Sequence, residues 1–332
     1  MTAIFQYGAG WLRLVVCLLF LAILSGITGD RTDAFAENAP GKDAPQTKIV
    51  HEEWAEDADI AIVLDQHMYP ALLKKINEFA DQHKINIAVR EGTCGVSAGA
   101  LAAQTADMTG FCCPPSEADR SLGVVFHTIA IGPIAMYVHP DNPINDLTLE
   151  EARGVFSGDI SRWSELKTAD GKPGPPYPIE PVGRLHCKTR PGHWRTLLDN
   201  EDLFSPRLTT VGSIEDVFRQ VEANPYSIGG FESLYMAREV YPAQKPLISV
   251  KINGFAPTPD NLLAAKYPLY FVFNLSTWKK SALPQSLLDD LIQYLRQQVE
   301  HVDPKFGMVS ANTLKQAGWQ FSGDEVVNPP SR

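Results

Sequence analysis

The chain of 332 residues has a net charge of −10, with 44% hydrophobic and 20% charged residues. These fractions are those of an ordinary globular protein with room for one large or two medium domains. The acidic total argues against a nucleic-acid partner, since nucleic-acid-binding proteins carry clustered Lys and Arg. It does not argue against a small anion, because a few local groups can override the overall field.

The first apolar segment is typical of a secretory signal. About a dozen apolar residues follow Arg13, and the Ala-Phe-Ala sequence at residues 34–36 fits the small-x-small pattern of a cleavage site. We therefore predict a cleaved signal peptide over residues 1–36, a periplasmic location, and a flexible leader over residues 37–56. An uncleaved N-terminal membrane anchor is the alternative.

The residues after the leader alternate between strand and helix patterns. "ADIAIVL" and "INIAVREG" predict buried strands, whereas "PALLKKINEFADQH" and "VSAGALAAQTA" have the spacing of helices. This order predicts parallel strands, whose carboxyl ends gather ligands. Three loops are therefore predicted to lie together, at residues 65–69, 92–97 and 110–114.

The second half of the chain continues with α/β patterns. The long apolar segment "VVFHTIAIGPIAMYV" predicts a strand that crosses between two sub-domains, and Thr148 followed by two glutamates predicts a helix start. "PLISVKING" and "YPLYFVFNLS" predict strands, and "LPQSLLDDLIQYLRQQVE" predicts an amphipathic helix. The last residues, "FSGDEVVNPPSR", have the composition of a polar tail.

Three segments occur in an order that is typical of one family. They are "IAIGPIAMYVHPDNPINDLTLEEARGVFSGDISRWSEL", "VEANPYSIGGFES" and "VKINGFAPTPDNLLAAKYPLYFVF". In this order and spacing they resemble the phosphate-binding proteins of the PstS type, in the type II periplasmic solute-binding superfamily, over roughly residues 58–302. The resemblance implies an α/β fold of two lobes joined by two crossover strands. Lobe 1 would comprise residues 57–133 and 246–332, including the polar tail, and lobe 2 residues 134–245.

The resemblance also implies a function. We expect a solute-binding protein without enzymatic activity or cofactor, which captures a small phosphate-like oxyanion in the cleft between its lobes. Closure of the lobes would present the bound form to a membrane transporter or sensor. We expect a monomer.

The predicted site departs from the family pattern in its side chains. The second cleft loop, "GTCGVSAG", has a cysteine where serine is common, and the third has two adjacent cysteines in place of a Ser-Asp or Ser-Arg pair. The fourth, "GRLHCKTRPGHW", keeps its arginine but lacks Ser-Gly-Thr. Thiols donate hydrogen bonds weakly, so these exchanges should weaken a phosphate cage. The predicted ligand-binding residues are Met68, Thr93, Cys94, Cys112, Cys113, Arg184, Lys188, Thr189 and Arg190.

The four cysteines of the mature chain all map to these loops, and three hypotheses compete for them. The favoured one is a disulfide, either from Cys94 to Cys112 or Cys113 within one lobe, or to Cys187 across the lobes. The second is a site for copper(I) or zinc. The candidate metal ligands are His67, Cys112, Cys113, His186 and Cys187.

The third hypothesis for the cysteines is a thiol enzyme. Cys187 would be the nucleophile, with His186 or His193 as its base. These residues match no known catalytic signature, so an enzyme is the less favoured interpretation.

Overall fold

The computed structural model describes residues 48–121, 123–185, 192–281 and 283–330. The predicted signal peptide and the first part of the leader lie outside these ranges. Within them, no helix is both long enough and apolar enough to cross a membrane.

The described residues alternate between helices and short strands. The strands are β1 Ile60–Asp65, β2 Ile87–Gly92, β3 Met108–Phe111, β4 Val124–Pro133, β5 Ala135–Val138, β6 Asp146–Leu147, β7 Glu180–Gly183, β8 Thr209–Thr210, β9 Ser227–Glu232, β10 Ile248–Ser249, β11 Lys251–Ile252, β12 Tyr270–Trp278, β13 Val309–Ser310, β14 Gln320–Ser322 and β15 Glu325–Asn328. The α-helices are α1 Tyr69–His83, α2 Cys94–Ala103, α3 Glu117–Ser121, α4 Leu149–Ser157, α5 Ile214–Ala223, α6 Pro259–Leu263, α7 Gln285–Gln298 and α8 Ala311–Gln316.

The first sheet has six strands in the order β13-β4-β12-β3-β1-β2. β1 pairs in parallel with β2 and β3, whereas β12 runs antiparallel to β3 and β4. Every residue of β1 is buried, which explains why its sequence is a continuous apolar segment rather than an alternating one. α1 buries Leu72, Ile76 and Phe79, as its helical spacing predicted.

The second sheet has five strands in the order β10-β5-β9-β7-β8, with α5 packed against it. The chain passes from the first sheet to the second through Ile134, between β4 and β5, so the predicted crossover strand is confirmed. It returns to the first sheet at β12. The predicted lobe limits stay predictions. β10 pairs with β5, so the second sheet includes residues 248–249, which follow the expected end of lobe 2 at residue 245.

The C-terminal residues form a hairpin of β14 and β15 instead of a simple polar tail. Asp324 lies in its turn, and its backbone carbonyl accepts a hydrogen bond from the Thr128 backbone N–H at 3.0 Å. Its carboxylate lies 2.7 Å from Nδ1 of His127 and 2.9 Å from Nη1 of Arg296. These contacts hold the hairpin on β4 and α7 of the first sheet.

The pH dependence of stability should report on this contact. Burial by itself would raise the pKa of Asp324, but hydrogen bonds with His127 and Arg296 hold it below its ordinary value. Such a carboxylate stabilises the fold above its unfolded pKa, and this contribution is lost as the pH falls through its folded pKa. We expect Asp324→Asn to lower the free energy of unfolding by about 1–2 kcal/mol near pH 7, since the group is partly exposed. The deficit should shrink as the pH falls below about 3.9, because the carboxylate of the unfolded wild-type chain then gains a proton that the folded protein takes up only at lower pH.

Urea denaturation of both proteins across this pH range measures the deficit. The control is Asp290→Asn, at an exposed position of α7, which should change little at either pH. Burial also lowers the pKa of His127, so wild-type stability should begin to fall as the pH drops below about 6.5. A deficit of Asp324→Asn that stays constant down to about pH 3 would contradict the assigned role of the carboxylate.

Candidate functional site

The candidate site lies at the carboxyl ends of β1, β2 and β3, where the three loops predicted from the sequence meet. The order β3-β1-β2 places these ends side by side. A cavity of about 10 Å³, close to the room that one water molecule needs, is present there. It is lined by Asp65, Gln66, His67, Thr93, Cys94, Cys112 and Arg184. Arg184 follows β7 of the second sheet, so both sheets contribute to the same cavity.

Asp65, the last residue of β1, orders the first loop of the site. Its Oδ1 atom accepts hydrogen bonds from the backbone N–H groups of His67 and Met68, both at 3.0 Å. These bonds shape the turn from which α1 begins. Its Oδ2 atom accepts a hydrogen bond from the Cys94 thiol at 3.5 Å. The carboxylate is thus a structural acceptor that also contacts the cysteines.

Three cysteines form a triangle of sulfur atoms beside Asp65. Cys94 is the first residue of α2, whose N-cap is Thr93, and Cys112 and Cys113 directly follow β3. The Sγ distances are 3.2 Å from Cys94 to Cys112, 3.5 Å from Cys94 to Cys113, and 3.8 Å from Cys112 to Cys113. A disulfide requires about 2.05 Å, so no disulfide joins any two of these three residues. The predicted bond from Cys94 to Cys112 or Cys113 is therefore absent, because the sulfur atoms surround a common point instead of pairing.

His193 approaches the sulfur triangle from the second-sheet side of the chain. It begins a short 3₁₀-helix, His193–Thr196, and its Nδ1 atom lies 3.9 Å from the Cys112 Sγ and 3.8 Å from the Cys113 Sγ. The residue is buried. The sequence suggested His193 as a possible base for Cys187, and in the structure its ring contacts the sulfur atoms of the two adjacent cysteines.

His67 and Glu232 form a second buried polar pair next to the cavity. The His67 Nε2 lies 3.4 Å from a carboxylate oxygen of Glu232, and the His67 ring packs against Phe271 with centroids 4.8 Å apart. The carboxylate oxygens of Glu232 and the ring nitrogens of His67 are buried without a well-formed hydrogen bond to the described residues. Buried polar atoms of this kind are rare in folded proteins.

Sequence reasoning missed Glu232, although a signal for it existed. Glu232 is the last residue of β9, in the motif "NPYSIGGFES", and it is 1% exposed. The sequence patterns predict parallel strands, and therefore ligands at their carboxyl ends, for the first sheet alone. Because β9 pairs in parallel with β7, the same rule points to Glu232.

The structure brings together only part of the predicted set. Thr93 and Arg184 line the cavity with the cysteines, and Arg184 also donates a hydrogen bond from Nε to the Gly212 carbonyl at 3.2 Å. Met68 packs in the hydrophobic core and does not line the cavity, because its side chain lies against Gly110 of β3. Five predicted residues lie outside the described residues: His186, Cys187, Lys188, Thr189 and Arg190.

Comparison with known proteins agrees with this architecture. The family model described as "PBP superfamily domain" matches residues 46–295. The phosphate-binding protein PstS of Bacillus subtilis (strain 168) is 22% identical over 286 residues, which cover 84% of this chain and 86% of PstS.

Solved structures show the same fold. An ABC-type phosphate transport receptor from Vibrio cholerae has a TM-score of 0.60 at 18% identity, covering 76% of this chain and 99% of the receptor. PstS from Borrelia burgdorferi has a TM-score of 0.51 at 16% identity, covering 76% and 98%. With the family model spanning most of the described residues, the chain belongs to the PBP superfamily and has the PstS-like, two-lobed type II fold that its three motifs predicted.

Proposed function

We propose that this protein is an exported, monomeric solute-binding protein that captures a small phosphate-like oxyanion and delivers it to a membrane transporter. The observation that carries the proposal is that three loops of the first sheet and Arg184 of the second meet around one cavity. Because this cavity has room for about one water molecule, phosphate binding requires the two sides to move apart first. A ligand held by both sheets can couple its own binding to lobe closure. The names of the relatives, which are phosphate-binding and phosphate transport proteins, support phosphate as the first ligand to test.

The groups around the cavity supply the chemistry of anion recognition. The guanidinium of Arg184 offers a charged fork that suits a tetrahedral oxyanion. The Thr93 hydroxyl accepts a hydrogen bond from the Val96 backbone N–H, which leaves its own hydrogen for a ligand. Asp65 and Glu232 place negative charge nearby. They would favour an oxyanion that still carries a proton, since a carboxylate can accept a hydrogen bond from it.

Replacing Arg184 by alanine tests the proposal. We expect Arg184→Ala to weaken phosphate binding about 10- to 150-fold, because charge-assisted hydrogen bonds contribute about 1.5–3 kcal/mol. Isothermal titration calorimetry on protein dialysed free of phosphate measures the affinity. Arg184→Lys, which keeps the charge but not the fork, should lie between wild type and alanine.

The matched control is Arg219→Ala, on the exposed face of α5, where the side chain pairs with Glu215 and Asp216 of the same helix. It should leave the affinity unchanged. Sulfate, which has no proton to donate near neutral pH, should bind more weakly than phosphate. The proposal is wrong if neither phosphate nor any other oxyanion produces heat or raises the melting temperature, or if Arg184→Ala binds as tightly as the wild type.

A further inference from the structure

We propose that Cys94, Cys112 and Cys113 form a binding site for one thiophilic metal ion, zinc(II) or copper(I), with His193 as the fourth donor. This site goes beyond the proposed anion binding, because it concerns a different ligand held by different atoms. The inference rests on the sulfur geometry, on the polar groups that converge there, and on the burial of the cluster.

The sulfur triangle has nearly the dimensions of a metal centre. Thiolates bound to one zinc ion at about 2.3 Å in a tetrahedron lie about 3.8 Å apart. The three distances in the structure, 3.2, 3.5 and 3.8 Å, require only small side-chain rotations to reach this value. A thiolate and an imidazole nitrogen on the same zinc lie about 3.6 Å apart, by the same geometry. The Nδ1 of His193 lies 3.8 Å and 3.9 Å from two of the sulfur atoms.

The surroundings argue against three cysteines that serve only as small apolar core residues. A buried carboxylate of Asp65 lies 3.5 Å from the Cys94 Sγ. Donor atoms of Asp65, His67 and Cys112 also lie within 4.8 Å of one another, so oxygen and nitrogen donors adjoin the sulfur set. The carboxylate of Asp65 and the imidazoles of His67 and His193 would not stabilise a purely apolar cluster. Metal sites, in contrast, regularly have such groups around them to orient the ligands.

The burial of the cluster suits a soft ion. Cys113 is 0% exposed and Cys112 is 2% exposed, so bulk water has little access to the sulfur atoms. Zinc(II) or copper(I) would displace the three thiol protons to solvent and form three metal–thiolate bonds, with no change of oxidation state. Thiolate donors select these two ions over harder cations. The charge of Arg184, on the same cavity, would offset part of the negative charge of the centre.

Metal binding to the full-length chain tests the site. The protein is purified under reducing, metal-free conditions and titrated with zinc(II) or, without oxygen, copper(I), in competition with a chromophoric chelator. We expect one ion per chain by native mass spectrometry, with proton release into weakly buffered solution. X-ray absorption should then show a sulfur shell at about 2.3 Å. The dissociation constants of zinc(II) and copper(I), each calculated from competition with its chelator, show which ion the site binds more tightly.

Variants assign the ligands. Cys112→Ser and Cys113→Ser should each lower the affinity about 100-fold or more, since even outer-shell changes cost about 10- to 100-fold. His193→Ala should lower the affinity and remove the nitrogen contribution from the absorption spectrum. The matched control is His139→Gln, another buried histidine, directly after β5, which should bind the ion as the wild type does. Circular dichroism of the metal-free variants checks that each still folds, and if one cysteine variant fails to fold, the other still tests the site.

Three outcomes would overturn the proposal. One is the absence of stoichiometric metal at micromolar ion concentration, and another is unchanged affinity in the folded cysteine variants. The third is a disulfide between two of these three cysteines. It would make the unreduced protein lighter by two hydrogen atoms, and peptide mapping would assign the bond. Phosphate calorimetry on metal-free protein is a separate measurement, so failure of the metal site leaves the proposed anion binding to its own test.

Discussion

Replacing Trp278 with alanine is expected to lower the free energy of unfolding by about 3–5 kcal/mol. Trp278 is the last residue of β12 and is completely buried in the main core. Its Nε1 donates a hydrogen bond to the Ala106 carbonyl at 3.0 Å, which links β12 to the segment before β3. The truncation would leave a large cavity and an unpaired buried carbonyl beneath the strand that carries the adjacent cysteines.

Urea denaturation followed by far-ultraviolet circular dichroism measures the loss. Trp278→Phe keeps most of the ring but not the donor, so it should cost less than the alanine variant. Leu203→Ala, at an exposed leucine, should change the free energy of unfolding by no more than about 0.5 kcal/mol. A cost below about 1 kcal/mol for Trp278→Ala would show that the core relaxes around the lost ring and that the described packing is not what stabilises this sheet.

Asp65→Ala should have the second large effect, a loss of about 2–4 kcal/mol, because the backbone N–H groups of His67 and Met68 lose their carboxylate acceptor in the turn before α1. Both N–H groups are buried at the edge of the candidate site. Asp65→Asn keeps an oxygen at the position of Oδ1, so it should cost far less. The pair of variants therefore separates the role of the acceptor from that of the charge.

Chemical denaturation gives the two free energies, and hydrogen exchange gives a local measure. The His67 amide should exchange faster in Asp65→Ala than in the wild type, whereas Asp65→Asn should retain most of the protection. Equal losses of stability in the two variants would contradict the assigned role, because the cost would then come from the charge rather than from the hydrogen bonds.

Much of the fold could be predicted from local sequence patterns. The continuous apolar segment of β1, the spacing of Leu72, Ile76 and Phe79 in α1, and the crossover at Ile134 all appear in the structure as expected. The C-terminal hairpin could not be predicted, because its own sequence is polar and its stability comes from contacts with distant residues. Asp324 meets His127 across 197 positions of the chain, and no local pattern encodes such a contact.

The candidate site, like the fold, could be predicted only where local sequence patterns encode it. The strand-end rule predicted that the loops carrying Cys94 and Cys112 would meet, and the order of the parallel strands brings them together. Glu232 is not predicted, because the parallel pairing of its strand, β9, with β7 joins segments that lie far apart in the sequence. The role of Met68 as a ligand-binding residue stays a prediction, and the structure places its side chain in the hydrophobic core against Gly110.

Local patterns of the chain predict the order of the elements, the family and the loops that reach the site, because periodicity, motif spacing and strand ends are local properties. The three-dimensional packing is needed to show that the sulfur atoms of Cys94, Cys112 and Cys113 form an unbonded triangle beside Asp65 and His193. The choice between a bonded sulfur pair and a separated one depends on little more than about 1 Å. Distances on that scale are set by the packing of the whole sheet, which brings together segments from separate parts of the chain.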